Sequence, residues 1–240
     1  MPGACFITAS GTEIGKTFVT CRLVEGLIAR GRPAAAVKPV LSGWDPQDPA
    51  SDARLLVEAQ RAGPWRPAVA DVSPWRFTAP LSPHVAARRE GREIVPDELL
   101  SWCRRCLAAG HEPVLIEGVG GAFVPLAAGF TVADWIAGLE LPALLVVDSR
   151  LGALSHGIAA FTALRSRGIR VLGVVVSQSP DEPMPFAETV ESFAGFIDAP
   201  LFALPRIPSS AHPAAARALA AWYGALEAGS ARAVTAPSLC

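Results

Sequence analysis

The stretch Thr8-Ala9-Ser10-Gly11-Thr12-Glu13-Ile14-Gly15-Lys16-Thr17 constrains the fold of this chain more than any other. A short apolar run, Ala4-Cys5-Phe6-Ile7, precedes it. Apolar residues at Val19, Leu23 and Leu27, with Val24 and Ile28 one face over, follow it at helical spacing. A strand that turns through Gly-Lys-Thr into a helix is the setting in which backbone N–H groups converge on an anion. There Lys16 reaches the outer phosphates of a nucleotide and the Thr17 hydroxyl ligates Mg²⁺. The strict spacing of such a loop places a glycine where this chain has Ser10.

Of the 21 basic residues only Lys16 and Lys38 are lysine; the rest are arginine, and asparagine is absent altogether. A lysine that persists against that bias does something arginine cannot. Its ammonium is a compact point charge on a flexible stem, whereas guanidinium is a broad planar fork. Lys16 and Lys38 therefore read as two halves of one site.

With 240 residues the chain is long enough for one α/β domain with a full core, read here as residues 1–228. The segment 229–240 is small and polar enough to be read as a disordered tail. A balance of 21 basic against 22 acidic residues gives no broad electrostatic footprint for nucleic acid or a membrane surface. No apolar run approaches the ~20 residues that a membrane span needs. The first apolar run is too short for a secretory signal, and the five cysteines, Cys5, Cys21, Cys103, Cys106 and Cys240, are odd in number. Both features point to reduced thiols in a cytoplasm. Cys103 and Cys106 read as two residues sharing one helix face.

Further along, Ala34-Ala35-Ala36-Val37 is a short strand that delivers Lys38-Pro39, and 40–49 is loop by composition. In α/β sheets ligands bind beyond the carboxyl ends of strands, which places Lys38 and Ser42 where a substrate should lie. Ser51 is expected to cap a helix that opens with Asp52. Residues 62–83 show no clear period. Helices are expected from Val85 to Glu90, where His84 reads as a surface or capping residue, and from Pro96 to Ala109. Pro113 to Glu117 is an apolar strand ending in a carboxylate and dissolving into Gly118-Val119-Gly120-Gly121, the place where an ATPase sets a second metal carboxylate. Strands at 144–148, 171–177 and 201–205 alternate with helices ending near Arg167, starting at Phe186 and spanning 214–227. Near-continuous apolar strands alternating with helices predict a mostly parallel sheet covered on both faces, in one domain.

Taken together and in order, these blocks resemble the dethiobiotin synthetase family of ATP-dependent enzymes with a P-loop NTPase-like fold. The likeness rests on Thr12-Glu13-Ile14-Gly15-Lys16-Thr17, Lys38-Pro39-Val40-Leu41-Ser42-Gly43, Ser51-Asp52-Ala53, Phe77 through Ser82-Pro83-His84, Glu117 to Gly121, Ala133-Asp134-Trp135 and Leu151-Gly152. It implies closure of a ureido ring from diaminopelargonate and CO₂, with ATP as co-substrate, through a carbamate and a carbamic-phosphoric anhydride. It further implies that Glu13, Ile14, Gly15, Lys16 and Thr17 hold the phosphates, with Ser177 toward the adenine. Lys38, Lys16 and Thr12 would be catalytic, and Thr17, Asp52 and Glu117 would ligate Mg²⁺. The substrate would meet Thr12, Lys38 and Ser42, together with Leu151, Gly152 and Ser155 from the partner chain of a homodimer.

The chain departs from the family pattern at Ala9 and Gly11 in the loop. Ser177 and Ser155 stand where asparagine is usual. Two other readings stay open: an ATPase switch protein of the partitioning type, and a nucleotide-binding paralogue without ring closure. An amidotransferase would need an ammonia-producing domain with a nucleophilic cysteine, for which the chain has no room.

Overall fold

A computed structural model describes residues 3–236. The first half of the chain runs β1 (Ala4–Ala9), α1 (Lys16–Ala29), β2 (Ala35–Val37), β3 (Val40–Ser42), α2 (Asp52–Ala59), α3 (Val69–Val72), β4 (Trp75–Phe77), α4 (Pro83–Arg89) and α5 (Pro96–Leu107). It continues through β5 (Val114–Glu117), β6 (Pro125–Ala127), β7 (Phe130–Thr131), α6 (Val132–Leu139), β8 (Ala143–Val147) and α7 (Ala153–Ser166). The last elements are β9 (Val171–Ser177), α8 (Phe186–Phe196), β10 (Leu201–Leu204), α9 (His212–Glu227) and β11 (Val234–Thr235).

The central sheet has the order β11-β10-β9-β8-β1-β5-β2, and each of its strand pairs is parallel. Alternate strand residues feed two cores. Phe6, Ile116, Leu145 and Val174 face α5, α6, α7 and α8, where Leu99, Trp135, Phe161 and Phe193 meet them. Ile7, Leu115, Val146 and Phe202 face α1 and α9, where Leu23, Leu27, Leu219 and Tyr223 meet them. Each such fully buried apolar side chain contributes about 1.5–3 kcal/mol, so a sheet covered on both faces is self-supporting. Helices α1 and α9 approach closely because Gly26 carries no side chain; a Cβ there would fall 2.0 Å from the Ala216 carbonyl oxygen.

β1 lies between β5 and β8; the chain leaves β1 through α1 toward β2 on one side, and leaves β5 through α6 toward β8 on the other. The crevice beyond the carboxyl end of β1 is a topological switch point, where open α/β sheets bind ligands.

Several expectations are corrected. Residues 40–49 are not loop throughout, because Val40–Ser42 pairs in parallel with Trp75–Phe77 inside the segment that shows no period. Strands of three residues carry too few side chains to display alternation, and pairing with each other defines them. Within the segment 229–240, Leu201↔Val234 and Phe202↔Thr235 add an edge strand to the sheet, and residues 237–240, with Cys240, lie outside the described residues. Ser51 occupies the N-cap position of α2, yet its hydroxyl is buried without a partner and makes no capping bond. Instead, Thr131 and Asp134 form a reciprocal capping box on α6, a helix that the sequence reading registered only through Ala133-Asp134-Trp135.

Candidate active site

The loop from β1 to α1 wraps the switch point. Ser10 N–H donates to the Val146 carbonyl (3.0 Å), Glu13 adopts φ 58°, and Gly15 adopts φ 94°, a left-handed conformation natural to glycine. Glu13 in that region is strained, a feature that accumulates where a backbone is shaped around a ligand. Lys16 folds back over the loop, its Nζ donating to the Gly11 carbonyl at 3.2 Å. Burial, reinforced by the nearby Lys38 charge, pushes the Lys16 ammonium down to about 8.

Behind the loop, parallel pairing of β2 with β5 brings their tips together, so Lys38 meets Glu117. The Lys38 backbone is fixed on both sides: its N–H donates to the Val72 carbonyl (3.0 Å) and its carbonyl accepts from Ser73 Oγ (2.5 Å). Its ammonium donates to Glu117 Oε1 at 2.9 Å, to Thr17 Oγ1 at 3.4 Å and to Asp52 Oδ2. Burial alone would lower the Lys38 pKa, but Glu117 and Asp52 outweigh it and hold the ammonium above its ordinary range. Burial likewise works against the Asp52 charge, and Lys38 outweighs it to hold that carboxyl below the usual carboxylate range.

Thr17 Oγ1 also donates to Glu117 Oε1 at 2.6 Å. Thr17, Asp52 and Glu117 thus converge on one point with hard oxygen donors, the set that suits Mg²⁺. Glu117 is fully buried, and its Oε2 has no hydrogen-bond partner among the described residues, leaving acceptor capacity at that point. These residues fit a magnesium ion.

The loop separates two cavities. One, of about 780 Å³, has Thr12, Lys16, Lys38, Ser42 and Asp52 on its walls, with Leu81 at its apolar side. The other, of about 400 Å³, shares Glu13, Ile14 and Gly15 with the first and is completed by Ser177, Pro205 and His212. Ser177 is therefore brought beside the loop; a Cβ on Gly15 would fall 2.8 Å from its hydroxyl. Leu151, Gly152 and Ser155 reach neither cavity. Gly152 is the N-cap of α7, and Leu151 is 87% exposed. His84 lines neither cavity; its Nδ1 lies 3.0 Å from Ser82 Oγ and 3.2 Å from the Pro125 carbonyl.

Some neighbours of the site had no signal in the sequence reading. Arg150 pairs with Asp148 at the tip of β8 and reaches the Thr12 carbonyl at 3.3 Å. Its position just past a buried strand was the available clue. Gln178 accepts from the Arg206 N–H (2.9 Å) and donates to Glu182 (2.9 Å), tying together the wall of the smaller cavity. That contact joins two loops and has no local signature.

A family model described as an AAA domain matches residues 4–214. The ATP-dependent dethiobiotin synthetase BioD of Methylobacterium nodulans is 45% identical over 195 residues, which cover 79% of this chain and 87% of that protein. The protein of the same name from Phenylobacterium zucineum is 44% identical over 220 residues, covering 89% and 92%.

The chain belongs to the dethiobiotin synthetase family.

As a dethiobiotin synthetase family member it is an ATP-dependent ligase of the carbon–nitrogen class. Among solved structures, the MinC:MinD cell division protein complex of Aquifex aeolicus aligns with a TM-score of 0.54 at 13% identity, over 86% of this chain and 82% of that one. A ParA family ATPase from Chlorobium tepidum aligns at 0.52 and 9% identity, over 90% and 89%. At such identities the likeness shows that this family shares the P-loop NTPase-like fold, and nothing about activity. No helix among the described residues is long and apolar enough to cross a membrane.

Proposed function

We propose that the chain closes the ureido ring of dethiobiotin from diaminopelargonate, CO₂ and ATP, a step in biotin biosynthesis. The observation that carries this reading is the pairing of Lys16 and Lys38 on one cavity whose polar wall also includes Thr12, Thr17, Ser42 and Asp52. A switch protein of the partitioning type carries its additional lysine near the start of the phosphate loop, where this chain has Ala9-Ser10-Gly11.

In this reading one amine of the diamine adds to CO₂, losing a proton and giving a carbamate. A carbamate oxygen attacks the γ-phosphorus, ADP leaves, and a carbamic-phosphoric anhydride forms. The second amine then attacks the carbonyl carbon, phosphate departs with the C–O bond electrons, and the nitrogen sheds its proton as the ring closes. Phosphoryl transfer of this kind depends on positioning and charge neutralisation more than on a strong base. Lys16, held over the loop, neutralises the β- and γ-phosphates. Lys38 neutralises the carbamate and the transferring group, while Thr12 and Ser42 orient the diamine by hydrogen bonds. Mg²⁺ on Thr17, Asp52 and Glu117 would supply further neutralisation of the phosphate oxygens. Ser177 offers the base a single hydroxyl in the smaller cavity.

The exposure of Leu151 beside the Gly152 N-cap supports a homodimer in which Leu151, Gly152 and Ser155 serve the partner's substrate carboxylate at a helix N-terminus. The test is fixation of labelled bicarbonate into an acid-stable product, with diaminopelargonate, Mg²⁺ and each nucleoside triphosphate in turn. Fixation that requires both diamine and nucleotide supports the reading. Nucleotide binding without fixation would overturn it in favour of a switch protein or an inactive paralogue.

A further inference from the structure

An ammonium has three protons to donate, and Lys38 spends all three on Asp52, Glu117 and Thr17, the same three side chains that form the oxygen set for magnesium. We propose that the Lys38 ammonium is an internal counter-cation for the metal position, displaced from it when Mg²⁺ arrives with nucleotide and thereby released into the substrate cavity. The proposal rests on the magnesium reading above and adds a regulation to that site.

Steric and electrostatic arguments agree. Mg²⁺ takes oxygen ligands at about 2.0–2.1 Å, so an ion drawn in by these three groups would stand within the space that Lys38 Nζ fills. Two cations that close repel strongly in a buried site. The Lys38 side chain is 5% exposed and Glu117 is fully buried, so bulk water cannot screen them from each other.

The fold permits one kind of movement. Val72 and Ser73 pin the Lys38 backbone, and Pro39 fixes the next φ, so the backbone cannot withdraw. The four-carbon stem can, and Lys38 already forms part of the wall of the larger cavity. An arginine fork could not share the point among three oxygens and then leave by bond rotation alone, which gives a physical reason for lysine in a chain otherwise so rich in arginine. One ammonium leaves one of the two carboxylate charges unmatched, whereas a divalent ion matches both. The freed ammonium then faces the negative groups of the reaction. A catalytic amine masked in this way is exposed only when metal and phosphates are present.

Because the chain has two lysines, lysine labelled with ¹⁵N gives two Nζ signals, which a Lys38→Met variant assigns. The full-length protein is titrated first with ADP in the presence of a chelator, then with Mg²⁺. The proposal expects ADP alone to move the Lys16 signal, and Mg²⁺ to move the Lys38 signal and speed its proton exchange with water. An unmoved Lys38 signal at saturating Mg·ADP overturns it. Independently, Lys38→Met should bind Mn²⁺ without nucleotide about tenfold more tightly than the parent, because the competing internal cation is gone. Equal affinity overturns the exchange, and if that variant does not fold, the Nζ titration of the unmodified chain decides. Metal affinity indifferent to Glu117→Gln would remove the magnesium reading, and this inference with it. Affinity lowered by Glu117→Gln with Lys38 unmoved would refute the exchange alone.

Discussion

Lys38 Nζ stands 2.9 Å from Glu117 Oε1, although 79 residues separate the two in the chain. The parallel pairing of β2 with β5 makes the contact, since Val37↔Ile116 is the last register pair before them. Both groups are buried, and their pairing offsets part of the cost of taking two charges out of water.

Replacing Lys38 by alanine should therefore do two separable things. Carbon dioxide fixation should fall to background while ADP binding stays within a few-fold of the parent, because Lys16 and the loop backbone hold the phosphates. Stability should drop by about 3 kcal/mol, the scale for stranding one partner of a buried ion pair. Urea denaturation and calorimetric ADP titration check both; parental turnover would take Lys38 out of the reaction.

Glu117→Gln keeps the shape and a hydrogen-bond acceptor for Thr17 but removes a charge. Half-maximal activity should then need about tenfold more Mg²⁺, a typical consequence of weakening a metal's surroundings. A magnesium titration of the initial rate reads this directly. An unchanged midpoint would return Glu117 to a purely structural role.

Gly15→Ala should weaken nucleotide binding on two counts. The left-handed φ of 94° costs a residue with a Cβ about 1–2 kcal/mol, and the new methyl would sit 2.8 Å from Ser177 Oγ. Adding Ser177→Gly should recover the steric part and leave the conformational part. Calorimetric ADP affinities of the single and double variants measure the split; complete recovery would mean that the backbone is not strained.

The capping box of α6 gives a pH prediction. Burial acts to raise the Asp134 pKa, but the Thr131 hydroxyl and N–H, together with Arg167, outweigh it and hold the carboxyl below its ordinary value of 3.8. A depressed carboxyl stabilises the fold above the unfolded-state value, and that contribution fades as pH falls through the folded-state value. Asp134→Asn should thus cost about 1 kcal/mol at neutral pH, and the gap between variant and parent should close in acid. Thermal melts across pH would show the convergence, and a constant gap would contradict it.

Much of this protein was written locally. The phosphate loop, α1 and the buried strands from Val114, Leu144, Val171 and Leu201 follow from apolar runs, helical period and glycine placement, which depend on neighbours in the chain. The survival of Lys16 and Lys38 amid arginine sets both apart in the sequence alone. The sequence alone thus determined the alternation of strand and helix, the turn at Gly15-Lys16-Thr17 and the set of chemical groups available beside it.

Tertiary structure decided what those groups face. Sheet order places β1 between β5 and β8, and only then do Lys38, Asp52 and Glu117 meet Thr17 at one point. The parallel pair of Val40–Ser42 with Trp75–Phe77, the edge strand at Val234–Thr235 and the distance of Leu151 from both cavities were likewise invisible beforehand. Three-residue strands have no period to read, and whether an exposed leucine serves this chain or a second copy is a matter of association. Local pattern is fixed by residues a turn or a strand apart, whereas the meeting of side chains from distant segments depends on how the whole sheet closes its cores.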